Sequence, residues 1–242
     1  MRKTISLVCL ICLVLFSSTF YALSSNNDLI QNDTTLRIED FIIFEGNSLI
    51  KLESDTFLSD NISMYEEQFV IHALDNRFQI IDRFEDISVL HFDYYTPNYD
   101  TIKRYPRYFT NVYEIAEGEF RFIFQYDGLI EEDITDIKPT EISIILQEPL
   151  IVGHSWTNVI LEIESVSEIT SINETIQTPL GIFQDVIKVT TLFPNGDSGT
   201  SYFALGHGFI KSIFQSGQNL FNPITTIVTS VTHNSTLTPL DY

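Results

Sequence analysis

The segment Glu119–Tyr126, with the sequence EFRFIFQY, is the part of the chain that decides the fold class. Aromatic residues occupy every second position in it: Phe120, Phe122, Phe124 and Tyr126. Side chains of a β-strand point alternately to opposite faces, so a period of two predicts a strand rather than a helix. We therefore expect a strand that places four aromatic rings on one face of a sheet.

Runs of β-branched and aromatic residues, bounded by Asn, Asp, Gly and Pro, predict further strands along the chain. They are Arg37–Phe44, Phe69–Leu74, Phe78–Phe84, Ile87–Tyr94, Tyr108–Ile115, Glu141–Leu146, Val159–Val166, Val186–Leu192, Ser201–Leu205, Phe209–Phe214 and Ile224–Val231. Helical periodicity of 3.6 residues is weak throughout, and only Ser59–Gln68 and Gly128–Asp136 are expected to hold a helical turn or two.

The connections between these strands carry turn residues. Asp75-Asn76, Glu117-Gly118 and Asn195-Gly196 lie between predicted strands, and Asn-Gly in particular accepts the positive φ of a tight hairpin. Successive hairpins join antiparallel neighbours. The sequence therefore predicts an all-β protein, an antiparallel meander that forms an open or partly closed barrel, or a sandwich.

The N-terminus has the pattern of a secretory signal. Arg2 and Lys3 precede the apolar run Ile5–Phe16, and the small residues Ala22 and Ser24 frame a cleavage position. We predict that residues 1–24 are a signal peptide and that the protein is secreted or extracytoplasmic. The alternative is an uncleaved membrane anchor, because about 20 apolar residues can span a bilayer.

Cleavage at that position divides the chain into a short leader and a folded part. Residues 25–35 are polar and aperiodic and are expected to be a flexible leader, and residues 36–242 a single β domain. A composition change at residues 131–139 leaves a subdivision open. Cys9 and Cys12 both lie in the signal, and neither is part of a lipobox, which argues against a bacterial lipoprotein. Cleavage of the signal would leave the exported chain without a thiol.

The chain is strongly acidic, with 13 Lys and Arg against 33 Asp and Glu and a formal net charge of −20. Loss of Arg2 and Lys3 with the signal would make the charge two units more negative. Nucleic acid is excluded as a partner because its binding requires a positive surface. The same repulsion disfavours anionic membranes, so membrane contact is expected only through the N-terminal segment if it is not cleaved.

Catalytic and metal-binding motifs are missing from the sequence. There is no Gly-x-Ser-x-Gly elbow, no zinc motif and no calcium loop, and the acidic stretch Asp127–Asp136 fits no defined spacing. His154 and His207 stand beside glycines, where a turn is the expected role. We predict no catalytic residue, no cofactor and no metal. The chain also has four Asn-x-Ser/Thr sequons, at Asn32, Asn61, Asn173 and Asn234.

The segment His91–Phe109 combines tyrosines with basic residues that are otherwise scarce. Tyrosine rings on a loop can stack on a sugar or form a protein contact, and basic groups can meet an acidic one. The alternative is a long connection packed onto the sheet. The candidate binding surface consists of Tyr94, Tyr95, Tyr99, Lys103, Arg104, Tyr105 and Arg107.

Three segments in order, Pro149–Trp156 (PLIVGHSW), Thr175–Phe183 (TIQTPLGIF) and Tyr202–Lys211 (YFALGHGFIK), form a recognisable pattern. The pattern resembles a module of uncharacterised exported bacterial proteins and lipoproteins, in which it reads PLxVGxxW, TPAGxF and YYAPGVGLVK. Leu180 stands here in place of the usual Ala. The resemblance implies an antiparallel β module on an exported protein and brings no catalytic residue or known ligand.

The same three segments have a structural interpretation. Trp156 after a glycine turn is expected to anchor the core. Pro179 and Gly181 are expected to make a tight hairpin, and Gly206 and Gly208 to permit a bend.

Two classes of function and a third, structural role remain open from the sequence. The leading one is a secreted, non-enzymatic binding or interaction protein with an unknown extracellular ligand or protein partner. The second is an extracellular hydrolase, which would need two carboxyl groups about 5–10 Å apart in a cleft. The third is a structural component of the cell envelope.

Overall fold

The computed structural model describes residues 36–42, 48–55, 63–74, 76–84, 107–129, 134–140, 142–160, 163–218 and 222–233. The predicted signal peptide and leader lie outside these residues, as do the predicted strand Ile87–Tyr94 and the sequons at Asn32, Asn61 and Asn234.

The described residues form one short helix and twelve strands. The helix α1 spans Ile38–Phe41, and a turn of 3₁₀-helix spans Ile134–Asp136. The strands are β1 (Ser48–Asp55), β2 (Ser63–Leu74), β3 (Arg77–Phe84), β4 (Arg107–Ala116), β5 (Glu119–Asp127), β6 (Ser143–Gln147), β7 (Ser155–Ile160), β8 (Ile163–Thr178), β9 (Gly181–Leu192), β10 (Ser198–Ala204), β11 (Gly208–Gln215) and β12 (Ile224–His233). The predicted all-β class is confirmed.

The strands form one antiparallel sheet in the order β6-β5-β4-β3-β2-β1-β12-β11-β10-β9-β8-β7. Strands that follow one another in sequence pair with each other, as in the predicted meander, except β6 and β7. β12 pairs with β1, so that Ser48 lies opposite His233. The edges of the sheet are β6 and β7, and it is not closed into a barrel. It curves so that its two halves face each other across a common core, as in a sandwich.

The core lies on the concave, inner face of the sheet. It combines Ile50 of β1, Phe78 of β3, Phe120 of β5 and Val228 of β12, which come from both halves of the sheet. Phe41 of α1 joins the same cluster, so the helix covers the core at one end of the strands. We call this end, where β1 begins and β12 ends, the α1 end.

The prediction for the aromatic strand β5 is half right. Phe120 and Phe122 lie in the main core, but Phe124 packs in a separate cluster with Ile123, and Tyr126 is exposed. The register with β4 shifts between Val112 and Tyr113, which marks a β-bulge. A bulge inserts one residue and reverses the faces beyond it, so the four rings do not share one side.

The predicted strand Arg37–Phe44 is wrong in its described part. Ile38–Phe41 form a helical turn, because the main-chain N–H of Arg37 donates to Asp40 Oδ2 (2.9 Å) and the main-chain N–H of Asp40 donates to the main-chain oxygen of Arg37 (3.1 Å). Ile38 and Phe41, three residues apart, are both buried, which is the spacing of one helical face.

Other element boundaries also differ from the prediction. Ser59–Gln68 was expected to allow a helical turn, yet β2 begins at Ser63, because pairing with β1 and β3 on both sides overrides the weak β-propensity of its acidic residues. The predicted strand Val159–Val166 is divided between β7 and β8. The strand Ser48–Asp55 was not predicted.

The predicted turns at Glu117-Gly118 and Asn195-Gly196 are correct, and Asp75 of the third lies outside the described residues. Glu117 and Gly118 join β4 to β5 with φ values of 57° and 75°, as a tight hairpin with two left-handed positions requires. The Asn195-Gly196 hairpin joins β9 to β10. Within the described residues, no helix has the length and apolar character needed to cross a membrane.

Candidate functional site: the inner face of the sheet

The inner face changes character along the strands. On β3, Phe78 and Ile80 near the α1 end are followed on the same face by Asp82. On β4, which runs the opposite way, Tyr113 near the α1 end is preceded by Asn111. The same change occurs on β1, β5, β6, β7, β8, β9 and β12, so the inner face is apolar at the α1 end and polar toward the other.

Two buried side chains, Asp82 and Asn111, and the partly buried Gln125 form the centre of the polar part, which we call the inner polar network. Asp82 is 1% exposed and Asn111 is fully buried. Asn111 Nδ2 donates to Asp82 Oδ2, and Gln125 Nε2 donates to Asn111 Oδ1 (2.9 Å). Removing a carboxylate from water is costly unless hydrogen bonds replace the water, and the amide of Asn111 supplies one of them.

Hydroxyl groups continue the polar character across the rest of the sheet. Ser54 Oγ and Thr226 Oγ1 lie 2.8 Å apart where β1 pairs with β12. Ser167 Oγ and Thr191 Oγ1 are also 2.8 Å apart, where β8 pairs with β9. Further buried polar residues are Ser143 of β6, Asn158 of β7, Ser165 of β8 and Ser212 of β11. Three buried apolar residues are exceptions: Phe109, which lies opposite Asp82, and the pair Phe214 and Ile224.

The two edges of the sheet meet through side chains. Asn158 of β7 accepts from Ile144 N (2.7 Å) through Oδ1 and donates to Ile144 O (3.0 Å) through Nδ2. Trp156 Nε1 donates to the same carbonyl (2.9 Å). The carboxamide of Asn158 therefore satisfies both main-chain groups of Ile144, as a neighbouring strand would. We call this contact the β6–β7 seam.

The two histidines beside glycines have packing partners. His154 Nε2 lies 3.1 Å from Gln147 Oε1, and its ring centroid is 5.9 Å from that of Trp156. The ring of His207 meets Phe183 edge-on at 4.8 Å. No group of three or more His, Cys, Asp or Glu side chains suited to a metal ion occurs among the described residues.

The tyrosine-rich candidate surface falls almost wholly in the connection between β3 and β4. Tyr94, Tyr95, Tyr99, Lys103, Arg104 and Tyr105 lie outside the described residues. Arg107 is the first residue of β4 and pairs through its main chain with Phe84, the last residue of β3. The connection therefore starts and finishes at the end of the sheet opposite α1, which is the end toward which Asp82 lies.

A buried tyrosine of the main core cluster lies between two lysines of neighbouring strands. Tyr202 of β10 is paired with Lys188 of β9 and with Lys211 of β11, whose Nζ lies 6.0 Å from the tyrosine ring centroid. Burial, and secondarily the charge of Glu174, raises the pKa of Tyr202 above its ordinary value of 10.0. Tyr202 is therefore a structural residue whose hydroxyl group loses its proton at a higher pH than an ordinary tyrosine does.

The inner polar network was missed by the sequence analysis. One signal could have revealed it: Phe78, Ile80 and Asp82 continue a single alternation, so the acid occupies a core-facing position. The alternation of side chains along β5 does not predict that Gln125 shares a face with Asn111, because the bulge between β4 and β5 reverses the faces of part of β5.

No protein-family model and no curated protein matches the chain. Among solved structures, an exported protein with a YmcC-like fold from Bacteroides fragilis is 12% identical with a TM-score of 0.47, covering 78% of this chain and 96% of that one. A lipoprotein from Parabacteroides distasonis is 11% identical with a TM-score of 0.41, at the same coverages.

A third similar structure is an outer membrane lipoprotein-sorting protein domain from Vibrio parahaemolyticus. It is 8% identical with a TM-score of 0.31, covering 81% of this chain and 88% of that one. The first two are thus described as an exported protein and a lipoprotein, and the third as a lipoprotein-sorting protein domain. At such identities and TM-scores, the likeness says nothing about function.

Proposed function

We propose that the protein is an exported, non-enzymatic binding protein that holds a hydroxyl-rich ligand, of the chemical class of a glycan, against the polar part of its inner face. The observation that carries this proposal is the inner polar network, in which Asp82 is buried with two carboxamides. Binding sites in proteins combine concave apolar surface with a few polar groups that fix the orientation of the ligand.

The chemistry of the network suits sugar hydroxyls. A carboxylate accepts hydrogen bonds from hydroxyl groups, and bonds to an ionised acceptor are stronger than neutral ones. Carboxamides such as those of Asn111 and Gln125 both donate and accept, which matches a hydroxyl group. The hydroxyls of Ser54 and Thr226 extend the same chemistry to the opposite half of the sheet.

The tyrosine-rich surface is proposed as a second part of the same site. Tyrosine rings stack on sugar rings. The connection between β3 and β4, which begins and ends at the end of the sheet toward which Asp82 lies, contains Tyr94, Tyr95, Tyr99 and Tyr105. Lys103, Arg104 and Arg107 would contact an acidic group on the ligand.

The carboxylate-based hydrolase is the weaker alternative. It requires two carboxyl groups facing one substrate. Among the side chains that the structure describes, the buried carboxylates are Asp82 and Asp197, and Asp197 Oδ1 instead accepts from Gly217 N (2.9 Å) in the β9–β10 hairpin region. A purely structural envelope component would have no need of a polar inner face.

The location and processing of the chain are part of the proposal. We propose that residues 1–24 are removed on export, that residues 25–35 form a leader and that residues 36–242 act as one domain outside the cytoplasm. N-terminal sequencing of the protein from its own host is expected to start at or near Ser25. A retained Met1 on membrane-bound material would show the N-terminal segment to be an anchor.

The binding proposal is tested by native mass spectrometry on protein purified from its own host. We expect an added mass that denaturation releases and that carbohydrate analysis identifies. Replacing Tyr99 and Tyr105 together with Ala should reduce the loaded fraction. It should leave the melting temperature almost unchanged, because rings that serve as a binding surface would be exposed and would contribute little to folding. The matched control is Tyr126→Ala, an exposed tyrosine on the outer face of β5. A large drop in melting temperature for the double variant would place those rings in the core instead.

A further inference from the structure

We propose that the α1 end of the sheet rests on a zwitterionic lipid bilayer through two aliphatic turns. The first is the β6–β7 turn with Ile151 and Val152, and the second is the β8–β9 turn with Leu180 and Ile182. We call these four residues the apolar tips. The proposal does not rest on the ligand site proposed above, which lies toward the other end of the strands.

The side chains of the apolar tips are exposed, and they are grouped in two turns. Ile151 is 55% exposed, Val152 57%, Leu180 38% and Ile182 67%. Each turn brings two of these side chains close together, and grouped apolar side chains left in water mark an interaction surface more often than scattered single ones do. Aliphatic side chains at turns can enter the headgroup region without disturbing the paired strands behind them.

Both turns are held in place by hydrogen bonds. Leu180 N donates to Thr178 Oγ1 (3.1 Å), and Ile151 N donates to Pro149 O (2.8 Å). Gly153 N donates to Ile169 O (2.8 Å), which ties the first turn to β8. Because the turns are already ordered, docking them costs little conformational entropy.

Contacts with α1 bring the two turns to one end of the molecule. Ile38 N donates to Glu148 Oε1 (3.0 Å), three residues before Ile151. On the other side, Asp40 O accepts from Gly206 N (2.8 Å), and the adjacent His207 ring meets Phe183. Phe183 directly follows Ile182. The apolar tips therefore lie on either side of α1.

The position of the N-terminal segment indicates a bilayer as the partner. The chain enters the described structure at Leu36, immediately before α1, and the apolar run Ile5–Phe16 lies upstream of that point. Whether that run is cleaved or retained, export places a membrane next to this end of the fold when the chain first emerges. The apolar tips would then remain in contact with the bilayer surface.

Charge selects the kind of lipid. Glu39 and Asp40 of α1 are exposed at this end and Glu117 is exposed in the β4–β5 turn, with Arg37 as a basic neighbour. The whole chain is also strongly negative. Anionic headgroups would repel such a surface, whereas phosphatidylcholine or phosphatidylethanolamine would not.

The test uses the absence of cysteine outside the N-terminal segment. In a full-length chain with Cys9→Ser and Cys12→Ser, a single Ile182→Cys is labelled with a polarity-sensitive fluorophore. Val159→Cys is the matched control, because Val159 is 58% exposed on the outer face of β7. With phosphatidylcholine vesicles that contain a nitroxide-labelled lipid, we expect at least about twofold quenching at position 182 and none at 159.

The possible outcomes separate the alternatives. Tethering by a retained N-terminal segment alone would leave both positions unquenched and would overturn the proposal, as would equal quenching at both. Binding that requires phosphatidylglycerol would contradict the zwitterionic assignment. A second measurement, vesicle co-sedimentation of the cleaved protein, should be lost on changing the four apolar tips to Ser and kept on changing Val159, Val166 and Leu192 to Ser.

Discussion

Trp156 combines a buried ring with a hydrogen bond across the β6–β7 seam, and its predicted place in the core is confirmed by an exposure of 5%. Trp156→Ala should lower the free energy of unfolding by about 3–5 kcal/mol, as large-to-small core changes do. Trp156→Phe keeps most of the packing and should cost less. Urea unfolding followed by circular dichroism measures both, and unchanged stability of Trp156→Ala would contradict the assignment.

Tyr202 gives the protein a stability loss at high pH. Burial, and then Glu174, raises its pKa in the folded state above 10.0, so the folded protein holds the phenol proton more tightly than the unfolded chain. The resulting stability is fully present below about pH 10 and is lost as the pH rises through the folded-state pKa.

We therefore expect the melting temperature to fall less between about pH 9 and pH 11 in Tyr202→Phe than in the unchanged protein. Glu174→Gln should lower the pKa of Tyr202 toward its ordinary value, as followed by phenolate absorbance. Identical pH profiles for the two proteins would exclude Tyr202 as the source of the effect.

At the scale of elements, the β6–β7 seam depends on one side chain. Asn158→Ala removes the donor and the acceptor that serve Ile144, and it should cost about 1–3 kcal/mol because Ile144 N loses its partner. Hydrogen exchange should accelerate most at the amide of Ile144. Thr157→Ala, an exposed position on the same strand, is the control. Equal exchange in both variants would show that the edges are held together by other contacts.

The sequence predicted elements well where side-chain alternation was regular and turns carried glycine. It failed where tertiary pairing overrode local pattern. β1, with Lys51 and Glu53 between its core residues, lacks a strong strand signal and gains its structure from β2 and β12 on either side. The short helix α1 depends on a cap at Asp40, and the bulge in β5 depends on its partner strand, so neither is visible as a period.

At the scale of the whole molecule, the acidic charge and the export pattern predict an acidic exported protein, but the sequence did not reveal how the inner face is arranged. The polar part of that face is assembled from residues far apart in the chain, such as Ser54 and Thr226. Each looks like an ordinary strand residue on its own. Only the register of the curved sheet brings them to one side, which is why the candidate site could not be read from a motif.

The most direct test of the central proposal, ligand binding at the inner polar network, compares native mass spectra of the host-purified protein with those of Asp82→Asn. This change keeps the shape and an acceptor for Asn111 but removes the charge. We predict a bound ligand in the unchanged protein and in the outer-face control Glu53→Gln, and at least about a tenfold smaller loaded fraction in Asp82→Asn. A bare mass for the unchanged protein, or equal loading of a folded Asp82→Asn, would contradict the account.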